Sequence, residues 1–528
     1  MAAPAESPPQ LDPSPLDPRR WLALGALVAS MLVLSFDTTI LNVALPTMAA
    51  QIGADTGDMQ WVVDSYTVVF AAVMLPAGLI GDRFGRRRML IAGLAVFLAG
   101  SLLGVFAGSP APVIAARTVM GTGAAFVMPL ALSVLPSMFG PDERTKAVAA
   151  VTTAAALGMP LGPIVGGTLL EHFWWGSVFL VNIPLVAIGI VACVLLLPET
   201  RDPAAPRVDL ISTVCAAAGL GALVFGIIEA PERGWGDPVV LLSLFGAVAL
   251  VTGLVLRERG VERPMLDLTL LGRRGFLWNA VAATLVTFIL TGLLFVLPSY
   301  LQTVLGNDAF GTGVRLLPMM GGLLVAARGG APLVKRYGPR PVIVAGLVVL
   351  AGSAFLGSTT GTGDGYGSVA VWLSLSGVGF GLAIVPAMEA ALGQLPVDRA
   401  GSGSGLLQTL RQTGSAVGVA ILGSVLAAGY TGRLSTDALP PAAAHAARSS
   451  VIAAHALADP ALSTSADAAY IHGMDLTLLV CGGAALAAAV LVGLFLPNPH
   501  GVAPAGVGTD TADPSPLRPS PDHPPVTG

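Results

Sequence analysis

The chain has little charge, little lysine and little cysteine, and these shortages limit what it can be. Only 11% of its 528 residues are Asp, Glu, Lys or Arg, whereas about 25% are charged in a soluble globular domain. Hydrophobic residues make up 54% of the chain and the mean hydropathy is +0.78. A large soluble domain is therefore excluded. The positive charge lies in short loops rather than in one patch, so no nucleic-acid partner is predicted.

The cysteines and the other chemistry-bearing residues form no recognisable reactive or metal site. Cys193, Cys215 and Cys481 all lie in apolar stretches and lack the spacing of metal ligands. We interpret them as small core residues. The sequence also contains no metal-ligand cluster, no Ser-His-Asp set and no phosphate-binding loop. We therefore predict no enzyme activity, no cofactor, no metal and no nucleotide-driven transport.

What the chain does contain is a long series of apolar runs. About 20 apolar residues in a helix cross a bilayer core that is about 30 Å thick. We therefore predict an all-α membrane protein with 14 transmembrane helices, arranged as two six-helix bundles plus an inserted helix pair. The predicted spans are 21–46, 59–81, 89–108, 111–136, 146–170, 177–198, 209–229, 238–256, 276–301, 313–334, 341–358, 368–396, 405–428 and 474–497.

The basic residues predict how these spans are oriented. The short loop between the second and third spans holds Asp82 and four arginines, and loops rich in Lys and Arg lie on the cytoplasmic side. With fourteen spans, only Arg233, Arg433 and Arg448 of the 27 Lys and Arg residues fall in external loops. We therefore predict a multi-pass protein of the bacterial plasma membrane with both termini in the cytoplasm.

A faint repeat predicts the division into domains. The segment 82–87, Asp-Arg-Phe-Gly-Arg-Arg, recurs as 335–340, Lys-Arg-Tyr-Gly-Pro-Arg. Many transporters consist of such repeated halves, with the substrate site between them near the middle of the bilayer. The predicted division is a disordered tail 1–18, an N-terminal half 19–200, an inserted helix pair 201–262, a C-terminal half 263–498 with an external loop 431–472, and a disordered tail 499–528.

Four stretches together resemble one family. They are the basic loop 78–90, the stretch 34–46 with Asp37, the stretch 115–123 with its arginine, and the Gly- and Pro-rich stretch 158–167. The chain resembles the major facilitator superfamily, in its fourteen-spanning branch of drug:proton antiporters. The stretch 78–90 resembles the loop between helices 2 and 3 of that family, and 34–46 resembles its helix 1. The stretch 115–123 resembles the arginine motif of helix 4, and 158–167 resembles the helix 5 motif of exporters.

The resemblance implies a function and leaves an alternative. It implies alternating-access export of hydrophobic, often cationic drugs, antibiotics or secondary metabolites in exchange for protons, by a monomer in the lipid bilayer. The alternative is an importer or exporter of another small solute, such as a siderophore, a metabolite or a lipid-like molecule. The chain departs from the family at Trp175-Gly-Ser and at Leu407-Gln408, where Trp-Arg-Trp and Asn-Asp are more usual. These departures argue against a polar binding or coupling role there.

Asp37 and Arg117 are the candidate proton-coupling residues. Charged side chains inside a membrane are costly and usually functional. Asp37 lies well inside the first span, where a proton or a cation can neutralise it, and Arg117 in the fourth span is such a cation. In the resembling family this arginine is linked to proton coupling. The alternative is a static pair that only holds two helices together.

Two further acids are candidate substrate-binding residues. Asp64 lies between Trp61 and Tyr66 near the outer end of the second span, and a carboxylate beside aromatic rings suits an amphipathic cation. The alternative is an interfacial position with ordinary belt aromatics. Glu389 lies near the inner end of the twelfth span. Its alternative is a salt bridge with Arg411 of the thirteenth span.

The loop 78–90 and the fifth span predict a gate and a seal. We expect the loop charges to hold the cytoplasmic side shut and to separate during transport; the alternative is that they only set the orientation. The small residues of the fifth span let helices approach closely, and its prolines bend it; the alternative is generic close packing. The predicted loop residues are Gly78, Asp82, Arg83, Gly85, Arg86 and Arg87, and those of the fifth span are Gly158, Pro160, Gly162, Pro163, Gly166 and Gly167.

Overall fold

The computed structural model describes residues 20–139, 141–201, 209–261, 268–361, 364–395, 400–436 and 439–497, and all regular structure within these ranges is helical. Within these ranges, fourteen long helices follow one another. They are α1 Arg20–Ile52, α2 Thr56–Phe84, α3 Arg86–Val105, α4 Pro110–Ser133, α5 Pro141–His172, α6 Asn182–Leu196, α7 Leu210–Arg233, α8 Pro238–Gly260, α9 Arg274–Ser299, α10 Ala309–Tyr337, α11 Pro339–Gly357, α12 Tyr366–Leu392, α13 Ala400–Arg433 and α14 Pro460–Phe495.

Each of the fourteen predicted spans overlaps one of these helices. Thirteen of the spans, α6 being extended by the short helix Ser177–Leu180, are long and apolar enough to cross a membrane. The remaining helix, α5, has 32 residues, which at about 1.5 Å per residue exceeds the thickness of a bilayer core. Only part of the α5 side chains is described. The chain is therefore a multi-pass, all-α membrane protein, as the sequence predicted.

Two helix ends differ from the prediction. The first span was predicted to end at Pro46, but α1 continues to Ile52 with the proline inside it. Burial of the apolar residues around Pro46 compensates for the backbone hydrogen bond that its ring removes. The last span was predicted from residue 474, but α14 begins at Pro460. Asp459 caps it there by accepting hydrogen bonds from the amides of the first turn.

The predicted external loop 431–472 is accordingly mostly helical. It contains the end of α13, the short helices Pro441–Ser449 and Val451–Ala456, and the first turns of α14. Tyr430 donates a hydrogen bond of 2.8 Å to the carbonyl of Ala447, which fastens the first short helix to α13.

The long helices pack in two groups. Helices α1 to α6 pack mainly on one another, as do α9 to α14. The two groups meet along the pairs α2–α13 and α5–α10. The exact domain bounds stay a prediction.

The two groups are also joined by side chains at the end where α1 stops and α2 begins, which the basic residues predict to be external. Gln302 lies in the π-helical turn Tyr300–Val304 that follows α9. It donates to the carbonyl of Val43 at 2.8 Å and accepts from Thr47 at 3.4 Å.

The inserted helices α7 and α8 pack on each other, and α7 also lies against both α2 and α13. Ser424 of α13 donates to the carbonyl of Ile227 in α7 at 2.8 Å. Asp209 caps α7 and pairs with Arg257 of α8 at 2.7 Å. Chiefly the hydrogen bond from Arg257 lowers the pKa of Asp209 to about 2. The inserted pair therefore lies along the line where the two helix groups meet.

Candidate functional site

A buried charge cluster lies between α1, α4 and α6. Asp37 on α1 and Arg117 on α4 form an ion pair, with 2.7 Å between Oδ2 and Nη1. The amide of Asn182, the first residue of α6, donates to the other carboxylate oxygen of Asp37 at 2.7 Å. All three side chains are buried, at 1%, 2% and 0% exposure. Both oxygens of Asp37 therefore have a hydrogen-bond donor.

Helix α2 holds the other side of the Arg117 guanidinium. Its Nε donates to the carbonyl of Val62 at 3.3 Å, and its central carbon lies 4.2 Å from the centre of the Tyr66 ring. The close approach of α2 and α4 requires a glycine at position 121, because a Cβ atom there would lie 2.5 Å from the Tyr66 carbonyl. Arg117 thus keeps two contacts that do not depend on the charge of Asp37.

Protonation of Asp37 would weaken the ion pair in this cluster. A buried ion pair is stable only while both charges are compensated, and removal of one charge leaves the other in a costly environment. A proton on Asp37 would remove the attraction to Arg117, while Val62 and Tyr66 would still hold the guanidinium on α2. Protonation therefore favours a separation of α1 from α4.

Asp64 is a second buried acid, in a different environment. It is fully buried on α2, and neither of its carboxylate oxygens has a hydrogen-bond partner among the described residues. An ionised carboxylate without a partner costs several kcal/mol in such a place. Asp64 is therefore covered by protein, and its role stays a prediction.

The aromatic residues predicted to assist Asp64 have other partners. Trp61 packs against Phe225 of the inserted helix α7, with ring centres 6.2 Å apart. Tyr66 is buried, lies against Arg117 and stacks on Phe70. Residues two positions apart do not share a helix face, which explains why Tyr66 joins the Asp37 cluster instead.

Glu389 and Arg411 do not form the ion pair that was considered for them. Glu389 is exposed on α12. Arg411 is half-buried on α13 and donates to Gln408 at 2.8 Å and to Thr287 at 3.3 Å. Gln408, where the sequence argued against a polar binding or coupling role, takes part in a polar contact.

The basic loop joins helices of a single group. Gly85, with a φ of +117°, separates α2 from α3, and this left-handed conformation favours glycine. Arg86 pairs with Asp82 at 2.7 Å and donates to the carbonyl of Ser133 at the end of α4 at 3.0 Å. The remaining residues also have partners within the group: Arg87 donates to the Val194 carbonyl, Arg88 pairs with Glu199, Arg83 lies over the Phe84 ring, and Gly78 packs beside Pro129.

The small residues of α5 face two different helices. Gly158, Gly162 and Gly166 lie against α1, where a Cβ atom at Gly162 would be 2.8 Å from the Ile40 nitrogen. Gly167 lies against α10, and the carbonyl of Pro163 contacts Gly313 of the same helix. The side chain of Pro160 lies outside the described part of the chain. Helix α5 therefore packs closely both within its group and against the other group.

Asn182 and Gln302 were not among the residues predicted from the sequence. Asn182 is an isolated amide in an otherwise apolar run, and a polar residue inside a predicted span is a signal that was present. Gln302 lies at the edge of a predicted span, where a glutamine is unremarkable in sequence.

Known transporters resemble this chain over most of its length. The chain is 31% identical to the tetracenomycin C resistance and export protein of Streptomyces glaucescens, over 90% of this chain and 91% of that protein. It is 32% identical to the multidrug efflux pump LfrA of Mycolicibacterium smegmatis, over 90% of this chain and 96% of that protein.

Among solved structures, it resembles a bacterial homolog of the human lysosomal transporter Spinster in an inward-facing conformation. The TM-score is 0.67 at 16% identity, over 91% of this chain and 97% of that one, which supports the fold. The sequence model described as Major Facilitator Superfamily matches residues 27–419. The chain therefore belongs to the Major Facilitator Superfamily and is a transporter, not an enzyme.

Proposed function

We propose that this protein exports hydrophobic small molecules, including antibiotics, in exchange for protons. Relatives that align over most of their length are named as antibiotic export and multidrug efflux proteins. The proposal places the protein in the bacterial plasma membrane as a monomer, with both termini in the cytoplasm. The bias of Lys and Arg toward the predicted inner loops supports this orientation.

The observation that carries the proton coupling is the position of Asp37. Its carboxylate is buried between Arg117 and Asn182, where one proton changes the balance of the cluster. We propose that Asp37 is protonated from the external side, that the loss of its attraction to Arg117 lets the helices rearrange, and that deprotonation to the cytoplasm resets them.

Other residues have proposed roles in the same cycle. We propose that Asp64, whose carboxylate has no partner among the described residues, takes a second proton or the charge of a cationic drug. Trp61, Tyr66 and Glu389 stay predicted substrate-binding residues.

The basic loop is the proposed cytoplasmic gate, and its Asp82–Arg86 contact is one that a rearrangement of α2 against α3 would strain. The glycine face of α5 is the proposed seal.

The direction of the two fluxes tests this proposal. The full chain is reconstituted in proteoliposomes, and ethidium movement and proton movement are recorded together after a pH jump. Antiport predicts that protons move opposite to ethidium and that an imposed pH gradient drives ethidium uphill. Movement of both in the same direction would indicate a symporter and would contradict export.

A further inference from the structure

Arg411 is a cation that the described residues leave without a negative partner. Its Nη1 donates to Gln408 Oε1 and its Nε donates to Thr287 Oγ1, and both acceptors are neutral. No ion pair joins it to any carboxylate in the described ranges. A guanidinium has five N–H donors, so donors remain for a further acceptor. Arg117, by contrast, is compensated by Asp37.

The packing of α13 against α2 places Arg411 in the middle of the bundle. Gln60 of α2 donates to the carbonyls of Val419 and Ala420, at 3.2 Å and 3.0 Å. Further along the same helix pair, Leu75 lies against Gly405. The two helices therefore run in opposite directions, and Arg411 lies between these contacts, far from either helix end.

The same register separates Arg411 from the buried Asp64. It places Asp64 at about the level of Ala416, which is roughly 7 Å along the axis from Arg411 at 1.5 Å per residue. Asp64 thus occupies a different level, and the two side chains form no ion pair.

Two polar side chains contact Arg411, Thr287 on α9 and Gln408 on α13. Thr284 lies one turn before Thr287 on α9, and its hydroxyl is buried without a hydrogen-bond partner among the described residues. Gln408 also donates to the sulfur of Met128 on α4, in the other helix group, at 3.7 Å. We call Thr284, Thr287, Gln408 and Arg411 the α13 polar patch. It combines a cation that has no carboxylate partner in the described ranges with hydroxyl and amide groups, beside a polarisable apolar side chain.

We propose that the α13 polar patch binds the carboxylate of an organic anion with an apolar body, and that such anions are cargo of this transporter. An unpaired charge inside a membrane is costly and marks a functional position. The planar guanidinium matches a carboxylate with two parallel hydrogen bonds, and Met128 offers a surface for the apolar part. This inference rests on the proposed export of hydrophobic molecules, and it extends the cargo beyond cationic drugs.

Three fluorescent probes with one ring system test the inference. Pyrenebutyrate, pyrenebutyramide and the pyrenebutylamine cation differ only in the end group, and their affinities for the purified full chain are measured in detergent. We expect Arg411→Gln to weaken pyrenebutyrate binding roughly 10- to 100-fold, as for a lost charged hydrogen bond, and to change pyrenebutyramide binding by less than about 2-fold. Arg411→Lys should weaken pyrenebutyrate binding less than Arg411→Gln does, since an ammonium keeps the charge without the planar fork.

Arg315→Gln is the matched control. Arg315 is another half-buried arginine, which lies on α10 with its guanidinium over the ring of Tyr366 at the start of α12. Its replacement should leave the ratio of the three affinities unchanged. An equal loss of all three probes in Arg411→Gln would make Arg411 a packing residue and overturn the inference.

The wild-type protein separates the two proposals. Binding of the amide and the amine without pyrenebutyrate would overturn the anion site and leave the export of hydrophobic molecules standing. Binding of none of the three would contradict a hydrophobic cargo altogether, and the anion site with it.

Discussion

Asp37 and Asp64 are both buried acids of the first helix group, yet their surroundings differ. Asp37 has a donor on each oxygen, whereas Asp64 has none among the described residues. A satisfied carboxylate is stable as an anion, and an unsatisfied one is stable only when a proton or a cation reaches it. The proposed transport cycle therefore has two separate places for positive charge.

Asn182 is the residue through which α6 contacts the buried Asp37–Arg117 pair. We expect Asn182→Ala to slow proton-driven transport and to destabilise the protein by about 1–3 kcal/mol, because one oxygen of a buried carboxylate loses its donor. Thermal unfolding and transport in proteoliposomes measure both effects. Asn42→Ala is the control, since the hydrogen bond that the Asn42 amide donates goes to the Thr38 carbonyl of its own helix. Equal effects of the two substitutions would contradict a specific role for Asn182.

Arg117 joins α4 to both α1 and α2, so its replacement by alanine and by lysine should reduce transport to different degrees. Arg117→Ala leaves Asp37 as an unpaired buried charge, which costs about 3–5 kcal/mol, and should abolish coupled transport. Arg117→Lys should retain part of the activity, because an ammonium can reach Asp37 but lacks the planar face that lies on Tyr66. The transport rate per folded protein is the measurement. Full activity of Arg117→Ala would exclude the proposed coupling role.

The sequence could predict part of this site. Asp37 and Arg117 stand out because ionised residues are rare in apolar spans and must find a partner there. The distance in sequence between Asp37 and Asn182 carries no information about their contact, and an amide is a weaker signal than a charge. Tyr66 was assigned to Asp64 by proximity in sequence, but the direction of its side chain on α2 takes it to Arg117.

At the scale of helices, α5 is distinguished by which neighbour each glycine faces. Gly158, Gly162 and Gly166 contact α1, and Gly167 contacts α10 in the other group. Glycines four residues apart lie on one face of a helix, so the α1 contact could be predicted as a close helix pair. The identity of the partner helix could not.

The glycines of α5 should differ in their tolerance of a methyl group. Gly162→Ala should be the more damaging, because the added Cβ meets the backbone nitrogen of Ile40 at 2.8 Å and the Phe36 carbonyl at 2.9 Å. At Gly166 the backbone is farther away, because the nearest backbone atom is the Ile40 carbonyl oxygen at 3.2 Å and the nearest atom of all is Ile40 Cγ1 at 2.7 Å. Overpacking typically costs about 1–3 kcal/mol. Gly25→Ala on α1 has open space and is the control. If thermal unfolding and transport ranked Gly166→Ala as worse than Gly162→Ala, this packing description would be wrong.

Helix number followed from the sequence more reliably than helix ends did. About 20 consecutive apolar residues have few alternatives to a spanning helix. The start of α14 depends instead on a local cap at Asp459, and the helix then passes through polar residues whose hydropathy resembles that of a loop. The short helices of segment 431–472 likewise consist of residues whose hydropathy resembles that of a loop.

At the scale of the whole molecule, the two helix groups contact each other in different ways. Gln302 joins α1 to the end of α9, α5 packs on α10, and α7 lies along the α2–α13 line. A movement of one group against the other must change these contacts, whereas the basic loop contacts stay within one group. The proposed proton on Asp37 would act inside the first group, so its effect must reach the α2–α13 and α5–α10 contacts for transport to occur.

Gradient-driven uptake and counterflow in Asp37→Asn separate proton coupling from substrate passage. Both are recorded in proteoliposomes with ethidium and with pyrenebutyrate. Asparagine is a neutral residue of the same size, so we expect that uphill, proton-driven accumulation of both probes is lost while exchange down their own gradients continues. Accumulation by Asp37→Asn at the wild-type rate under a pH gradient would show that protons reach the transport cycle by another residue, and would exclude Asp37 as the coupling residue.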